Sequence, residues 1–174
     1  LCFTSTGDST IGMTQHGKPS TNKVIQYKLN DGQWQNWDLS AVTLADGDKM
    51  YLKSDDEIPM SESDTIYKQF VMTGSIAASG NTMSLLNFSD ALTDYAFYKL
   101  FRECTSLAAA PKLPATTLAQ NCYRQMFRGC TALTNAPELP ATTLAESCYL
   151  SMFHNCTSLA TTPELPATSL AVDC

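Results

Sequence analysis

The sequence has few charged residues and no cluster of positive charge. Charged side chains make up 16% of the 174 residues, and the formal net charge is −6. Binding to nucleic acid or to an anionic membrane needs clustered Lys and Arg, because the release of counterions drives such binding. Neither the segment 1–73 nor the remainder of the chain has such a cluster. The composition therefore argues against nucleic acid and an anionic membrane as partners.

Long apolar runs are also missing. The apolar stretches are only a few residues long, whereas a membrane-spanning helix needs about 20. Leu1 to Thr4 enters a strand-like pattern directly, without the charged and apolar segments of a secretory signal. The sequence stops at Cys174, partway through a repeat. We therefore expect a soluble region of a longer protein, without membrane insertion, from which a targeting segment could also have been removed.

Histidine is scarce, and the cysteines lack metal-binding spacing. The histidines are His16 and His154, and the seven cysteines include no Cys-x-x-Cys pair. Zinc sites and activated nucleophiles depend on such residues. The acidic groups at 46–48 and 55–57 lack the full ligand pattern of a calcium loop and are more typical of turns. We expect no metal, no cofactor and no enzymatic activity.

A 26-residue repeat dominates the second half of the chain. The motif Cys-Thr-Ser-Leu at 104–107 returns at 130–133, with Ala for Ser, and at 156–159. The motif Leu-Pro-Ala-Thr-Thr-Leu-Ala at 113–119 returns at 139–145 and, with Ser169 for Thr, at 165–171. A fixed period between about 20 and 50 residues indicates a solenoid of stacked units. The residues expected to fill its core are Leu107, Leu133, Leu159, Phe101, Phe127, Phe153, Cys104, Cys130 and Cys156.

Each repeat also contains a pattern typical of a short helix. Apolar residues recur at i, i+4 and i+8 from Leu144 to Met152, which predicts one apolar helical face. Thr143-x-x-Glu146 fits a capping box at the helix start. Gly129 and, one repeat later, Asn155 fit the left-handed residue that follows a helix end.

The cysteines of the repeats are predicted to be buried thiols. Cys122 and Cys130 would lie about 12 Å apart along a helix, too far for a disulfide. Equivalent cysteines in neighbouring repeats would lie side by side, which favours packing over bridging. Cys2 is predicted to lie on a strand, and a lipid-anchored or reactive thiol stays open for it.

The segments between the predicted helices should be extended. Pro137 and Pro140 each remove an amide from opposite sides of a parallel ladder, so we expect strands of about three residues centred on Glu138 and Leu139 and their equivalents. Residues 96–101 align with 122–127, which predicts a degenerate first repeat over 74–101. The predicted repeat domain spans 74–174 and is truncated at its C-terminus.

The segment 1–73 has the pattern of a small β-domain. Val24 to Leu29 alternates apolar and polar residues, and Asn30-Asp31-Gly32 turns the chain into 33–37, which predicts a hairpin. Further strands are predicted at 1–6, 10–15, 42–44, 49–53 and 68–72. This pattern indicates an immunoglobulin- or fibronectin-like β-sandwich over 1–73. The predicted fold class is α+β, with this sandwich followed by a leucine-rich-repeat solenoid of short helices and very short parallel strands.

Two groups of exposed side chains are candidate ligand-binding residues, because equivalent positions in successive repeats form columns on a stacked array. The strand positions are Lys112, Glu138 and Glu164, and the helix-end positions are Arg102, Arg128 and His154.

Trp34 and Trp37 are candidates for stacking on a glycan. The alternative places one of the two rings in the sandwich core and the other on a hairpin face.

The order Met-Phe-x-x-Cys-Thr-Ser/Ala-Leu at 26-residue spacing over about 92–174 resembles the BspA-like leucine-rich repeat family of bacterial surface proteins. The two prolines in each strand segment depart from the commoner repeat. The first domain resembles the immunoglobulin-like modules that precede such repeats in surface proteins of Gram-negative anaerobes. The resemblance implies secretion, display at the cell surface, where a lipid anchor in the outer membrane is one option, and adhesion to a host or microbial protein or glycan.

Three functional hypotheses follow. The first is an adhesin-like binding module that uses the exposed face of the repeats. The second is a structural spacer that displays other domains at the cell surface. The third is carbohydrate binding by the N-terminal β-domain, with the repeats as support.

Overall fold

The chain is almost entirely β-structure and turns. The computed structural model describes residues 1–89 and 91–174; Asp90, inside the predicted first repeat, lies outside the described residues. Strands make up 27% of the chain and helix 3%, the helix being a 3-10 segment at Thr82–Leu86. The predicted α+β class, with a leucine-rich-repeat solenoid of short helices, is therefore wrong. No helix in the described ranges has the length and apolar character to cross a membrane.

Within residues 1–89 and 91–174, nine strands form two sheets. They are β1 (Cys2–Ser5), β2 (Ser9–His16), β3 (Gln26–Leu29), β4 (Gln35–Asn36), β5 (Val42–Leu44), β6 (Lys49–Lys53), β7 (Tyr67–Thr73), β8 (Ile76–Ser79) and β9 (Leu107–Ala109). The larger sheet has the order β4-β3-β6-β1-β8-β9, and the smaller has the order β5-β2-β7. All pairs are antiparallel except β8 with β9, which is parallel.

The strands predicted before residue 73 are confirmed, because their alternating pattern is local and strong. Val42–Leu44 and Lys49–Lys53 match β5 and β6 residue for residue. The predicted hairpin is the β3–β4 pair, and Asn30 in its turn has a φ of 48°. Strand β8 is not among the predicted strands, since the repeat pattern places Ile76–Ser79 in the first repeat. It pairs with β1 on one side and with β9 on the other.

The segments predicted to be helical form successions of turns instead. Asn121, Gln125 and Gly129 have φ values of 56°, 56° and 76°. An α-helix needs a φ near −63° at every residue, so a left-handed residue at every fourth position rules it out. The same positions have positive φ in the neighbouring repeats, at 95, 99 and 103 and at 147, 151 and 155. Successive four-residue turns also bring i, i+4 and i+8 to one side, which is why the apolar pattern resembles that of a helix.

Backbone amides in these turns alternate between two kinds of partner. Met126 N donates to Tyr123 O of its own turn at 3.1 Å, whereas Phe127 N donates to Met152 O of the next repeat at 3.1 Å. This alternation holds from 121 to 130. In an α-helix each of these amides would bond four residues back. Here every second amide instead ties one repeat to the next.

A stack of aromatic rings runs through the core. The rings of Phe101, Phe127 and Phe153 lie parallel, with centroids 5.4 and 5.8 Å apart. Phe101 also stacks on Phe70 of β7 at 5.0 Å. The apolar core is therefore continuous from the sheets into the repeats. Of the positions predicted to fill the repeat core, Leu159 and Phe153 are partly buried, and the buried ones are Leu107, Leu133, Phe101, Phe127, Cys104, Cys130 and Cys156.

Candidate functional site

Within the described residues, backbone hydrogen bonding between successive repeats is interrupted where the proline segments 110–115, 136–141 and 162–167 lie side by side, whereas Lys112 still bonds to Gly80 and Thr82. Before them, Asn135 bridges Thr161, and after them Thr117 bridges Thr143. Among the described residues, no backbone hydrogen bond joins 110–115 to 136–141. The short strands predicted at Glu138 and Glu164 are therefore not formed, and at the equivalent Lys112 the structure has a single parallel bridge to Asn81. The prolines at 111, 114, 137, 140, 163 and 166 have no amide hydrogen to donate, which explains the interruption.

Two open grooves lie where this bonding is interrupted. We call them the proline grooves. The first, of about 510 Å³, runs between residues 110–114 and the Pro137, Glu138 and Pro140 side chains. The second, of about 480 Å³, lies between 136–140 and 163–166. Because Pro137, Glu138 and Pro140 line both, the grooves adjoin one another and form one surface across three repeats.

Three of the predicted binding residues line this surface. Lys112 lies in the first groove, Glu164 in the second, and Glu138 in both. All three are exposed. The second groove is therefore acidic, with two carboxylates from successive repeats, whereas the first has one charge of each sign.

The other predicted column lies elsewhere. Arg102, Arg128 and His154 line neither proline groove. Backbone hydrogen bonds link the turns that carry these three residues. Glu103 N donates to Arg128 O at 2.7 Å, and Gly129 N donates to His154 O at 2.8 Å. The structure thus brings the strand-segment residues together and leaves the three cationic positions outside their surface.

The two tryptophans do not share a face. Trp37 is 6% exposed, and its Nε1 donates to Ser40 O at 2.9 Å. Trp34 is 41% exposed, and the Nζ atoms of Lys28 and Lys53 lie 5.8 and 5.2 Å from its ring centroid. These cation–π contacts already occupy the Trp34 ring. A common stacking platform for a sugar is therefore not formed.

Burial disfavours the thiolate form of the buried cysteines. Burial raises the pKa of the Cys122 thiol to about 12. Burial and the adjacent Cys174 thiol raise the pKa of Cys148 to about 12, and the two Sγ atoms lie 2.9 Å apart. Such thiols stay protonated near neutral pH. Cys2, on β1, is a half-buried free thiol. Within the described ranges, no three His, Cys, Asp or Glu side chains group together as metal ligands.

Sequence reasoning missed a cavity that contains two lysines. This lysine cavity, of about 480 Å³, is lined in part by Lys23, Lys68 and Trp37. The side chain of Lys23 is fully buried, and its Nζ lies 2.7 Å from Asp56 Oδ1. Lys68 is 5% exposed. A signal was present, because Lys68 shares the inward register of β7 with Phe70.

Burial lowers the pKa of both lysines in this cavity. Burial lowers the pKa of Lys23, while the hydrogen bond and negative charge of Asp56 oppose that shift. Burial also lowers the pKa of Lys68, and the positive charge of Lys23 adds to the effect. The positive charge of Lys23 thus disfavours the charged form of Lys68.

Comparison of the chain with protein-family models, with curated proteins and with solved structures finds no match.

Proposed function

We propose that the chain is an adhesin-like binding module, and that the proline grooves hold an extended segment of a partner polypeptide. The observation that carries this proposal is the continuity of the two grooves through Pro137, Glu138 and Pro140. The 26-residue motif supports a location outside the cell or at its surface, through its resemblance to the BspA-like family.

The backbone along the grooves is suited to an extended peptide. The amides of Glu138 and Leu139 donate to no acceptor in the described part of the chain. Unused amides beside a groove can bind an added strand, because main-chain hydrogen bonds give such complexes their affinity. The proline rings restrict the backbone of the groove walls, so little conformational entropy is lost on binding.

The charges of the grooves define the partner further. Glu138 and Glu164 favour a basic side chain in the second groove, and Lys112 favours an acidic one in the first. Complementary charges at such a surface contribute more to selectivity than to affinity. We therefore expect partner segments with Lys or Arg opposite the two glutamates.

A phage-displayed library of 12-residue peptides tests the proposal. Peptides selected on the wild-type chain should be enriched in Lys and Arg. The double variant Glu138→Lys/Glu164→Lys should bind the selected peptides about tenfold or more weakly. Its melting temperature should stay within about 2 °C of the wild type, because both side chains are exposed and surface substitutions change stability little.

A second double variant controls for net charge. Glu57 and Glu146 are exposed and lie outside the grooves, so Glu57→Lys/Glu146→Lys makes the same change in charge. It should bind the selected peptides like the wild type. Equal loss in both variants would show a general electrostatic effect and contradict the assignment to the grooves. No enrichment of any peptide would favour the spacer hypothesis instead.

A further inference from the structure

Strand β7 has a lysine at a position that faces the interior. Lys68, Phe70 and Met72 are buried, while Val71 between them is exposed. Alternate residues of a strand lie on one side of a sheet, so the Lys68 side chain starts on the same face as two apolar core side chains. Burial of a charge is unfavourable unless an opposite charge or hydrogen-bond acceptor accompanies it.

Lys68 Nζ makes no salt bridge or side-chain hydrogen bond among residues 1–89 and 91–174, and it is not one of the fully buried unpartnered atoms, so it is accessible from the cavity. The salt bridges there do not include it. The two carboxylates that influence it are already engaged elsewhere. Asp56 accepts from Lys23 Nζ at 2.7 Å, and Glu62 accepts from Ser20 N at 2.9 and 3.0 Å. Neither accepts a hydrogen bond from Lys68.

The lysine cavity gives this ammonium group access to a ligand. Besides the two lysines, the wall includes the residues Gln15, Asn22, Asn36 and Trp37, of which Gln15 already donates from Nε2 to His16 O at 2.7 Å. The one carboxylate in the wall, among the described residues, belongs to Asp38, and it already accepts from Ser40 N at 2.9 Å. Positive charge, amide groups and an aromatic ring therefore surround the same space.

We propose that the lysine cavity binds a carboxylate group carried by an acidic sugar residue. The carboxylate accepts hydrogen bonds from Lys68 Nζ and provides the negative charge that this group lacks. The amides of Asn22 and Asn36 can bond sugar hydroxyl groups, and the indole of Trp37 offers an apolar surface to the ring. The proline grooves lie on the repeats, so this is a second, separate site.

Titration of the whole ¹⁵N-labelled chain with glucuronate, followed by NMR, tests this proposal. The Trp37 indole N–H is the local reporter because Trp37 lines the cavity. Trp34, which does not line it, is the internal control. Glucuronate should shift the Trp37 signal in a saturable way and leave the Trp34 signal in place. Glucose should bind about tenfold or more weakly, because it lacks the charge.

Substitution of Lys68 distinguishes binding in the lysine cavity from a general effect of net charge. Lys68→Met should weaken glucuronate binding by about tenfold or more. Lys49→Met, which removes the same charge at an exposed position outside the cavity, should leave it unchanged. Equal binding by the Lys68→Met variant and the wild type would overturn the proposal. If Lys68→Met does not fold, the Lys68 side-chain signals of the wild type must shift with glucuronate, and unchanged signals would overturn it.

Two further ligands show which chemical group the lysine cavity recognises. Acetate tests the carboxylate without the sugar, and inorganic phosphate tests another anion. Weaker binding of both than of glucuronate supports an acidic sugar. Acetate binding as tight as glucuronate binding would overturn the sugar assignment, and tighter phosphate binding would overturn the carboxylate assignment.

Discussion

The sheet region, residues 1–79, and the repeat region, residues 95–174, differ in how their backbone amides and carbonyls are hydrogen-bonded. In the sheet region, β2 and β7 pair without interruption from Thr10 with Thr73 to His16 with Tyr67. In the repeat region, alternate amides bond to the next repeat, and bonding stops at the proline segments. The candidate sites arise where each pattern is broken. Prolines break the inter-repeat bonding around the grooves, and a lysine replaces an apolar residue in the inward register of β7.

The two regions nevertheless share one core. Phe3 and Phe70 from the sheets contact Phe101, and Phe101 stacks on Phe127. Since both tryptophans, Trp34 and Trp37, lie in the sheet region, their fluorescence reports on that region alone. A substitution deep in the repeats can therefore show whether the regions unfold together.

The largest change in the free energy of unfolding is expected for Phe127→Ala. Phe127 is fully buried, with a ring stacked on each side, so its loss should lower the free energy of unfolding by about 3 to 5 kcal/mol. Chemical denaturation followed by tryptophan fluorescence and by circular dichroism should give the same shifted transition with both probes.

Phe153→Ala provides the control for this prediction. Phe153 is partly buried, so Phe153→Ala should lower the free energy of unfolding by less than Phe127→Ala does. A Phe127→Ala loss below about 1 kcal/mol would contradict the burial of this ring. A fluorescence transition that stays in place while the circular dichroism transition shifts would show that the regions unfold independently.

A smaller effect is expected for Asp56→Asn in the sheet region. It leaves the ammonium group of Lys23, whose side chain is fully buried, without a counter-charge. The loss at neutral pH should be about 2 to 3 kcal/mol. Asp55→Asn is the matched control, because the Asp55 side chain is 66% exposed beside Lys53; it should cost less than about 0.5 kcal/mol.

The same ion pair predicts a pH dependence. Burial alone would raise the pKa of Asp56, but the hydrogen bond and charge of Lys23 outweigh burial and lower it from 3.8. The folded chain therefore keeps this carboxylate charged at lower pH than the unfolded chain does. Its contribution is present above pH 3.8 and is lost as the pH falls through the folded pKa. Acid unfolding curves should show less loss of stability below about pH 4 in Asp56→Asn than in the wild type. Equal losses would contradict the pairing.

Local patterns in the sequence predict the sheet region better than the repeat region. The alternation before Asn30 and the turn residues after it are sufficient for the β3–β4 hairpin. The 26-residue period is equally visible, but the conformation within each repeat is not. Gly129 and Asn155 do have positive φ, as expected, yet they are two members of a longer series. Gln125 and Ser151 also have positive φ, but neither residue type has an intrinsic preference for that conformation. The sequence therefore carries no sign of the turns at these positions.

The candidate sites are predictable only in part. Lys112, Glu138 and Glu164 can be chosen because they occupy equivalent repeat positions, and the grooves then follow from the prolines beside them. The lysine cavity depends on contacts between distant segments, since Lys23 and Lys68 come together only in the folded sheets. A strand register can place Lys68 inside, but it cannot reveal that no carboxylate among the described residues forms a salt bridge with it.

Substitution of Gln125 by glycine tests the turn structure of the repeats most directly. Gln125 has a φ of 56°, a conformation that costs a residue with a side chain about 1 kcal/mol and glycine almost nothing. Gln125→Gly should therefore raise the free energy of unfolding, by up to about 1 kcal/mol, whereas Arg128→Gly, at a position without positive φ, should lower it. A helix through this segment would give the opposite sign, because glycine inside a helix costs about 1 kcal/mol. A loss of that size in Gln125→Gly, measured by chemical denaturation, would contradict the account.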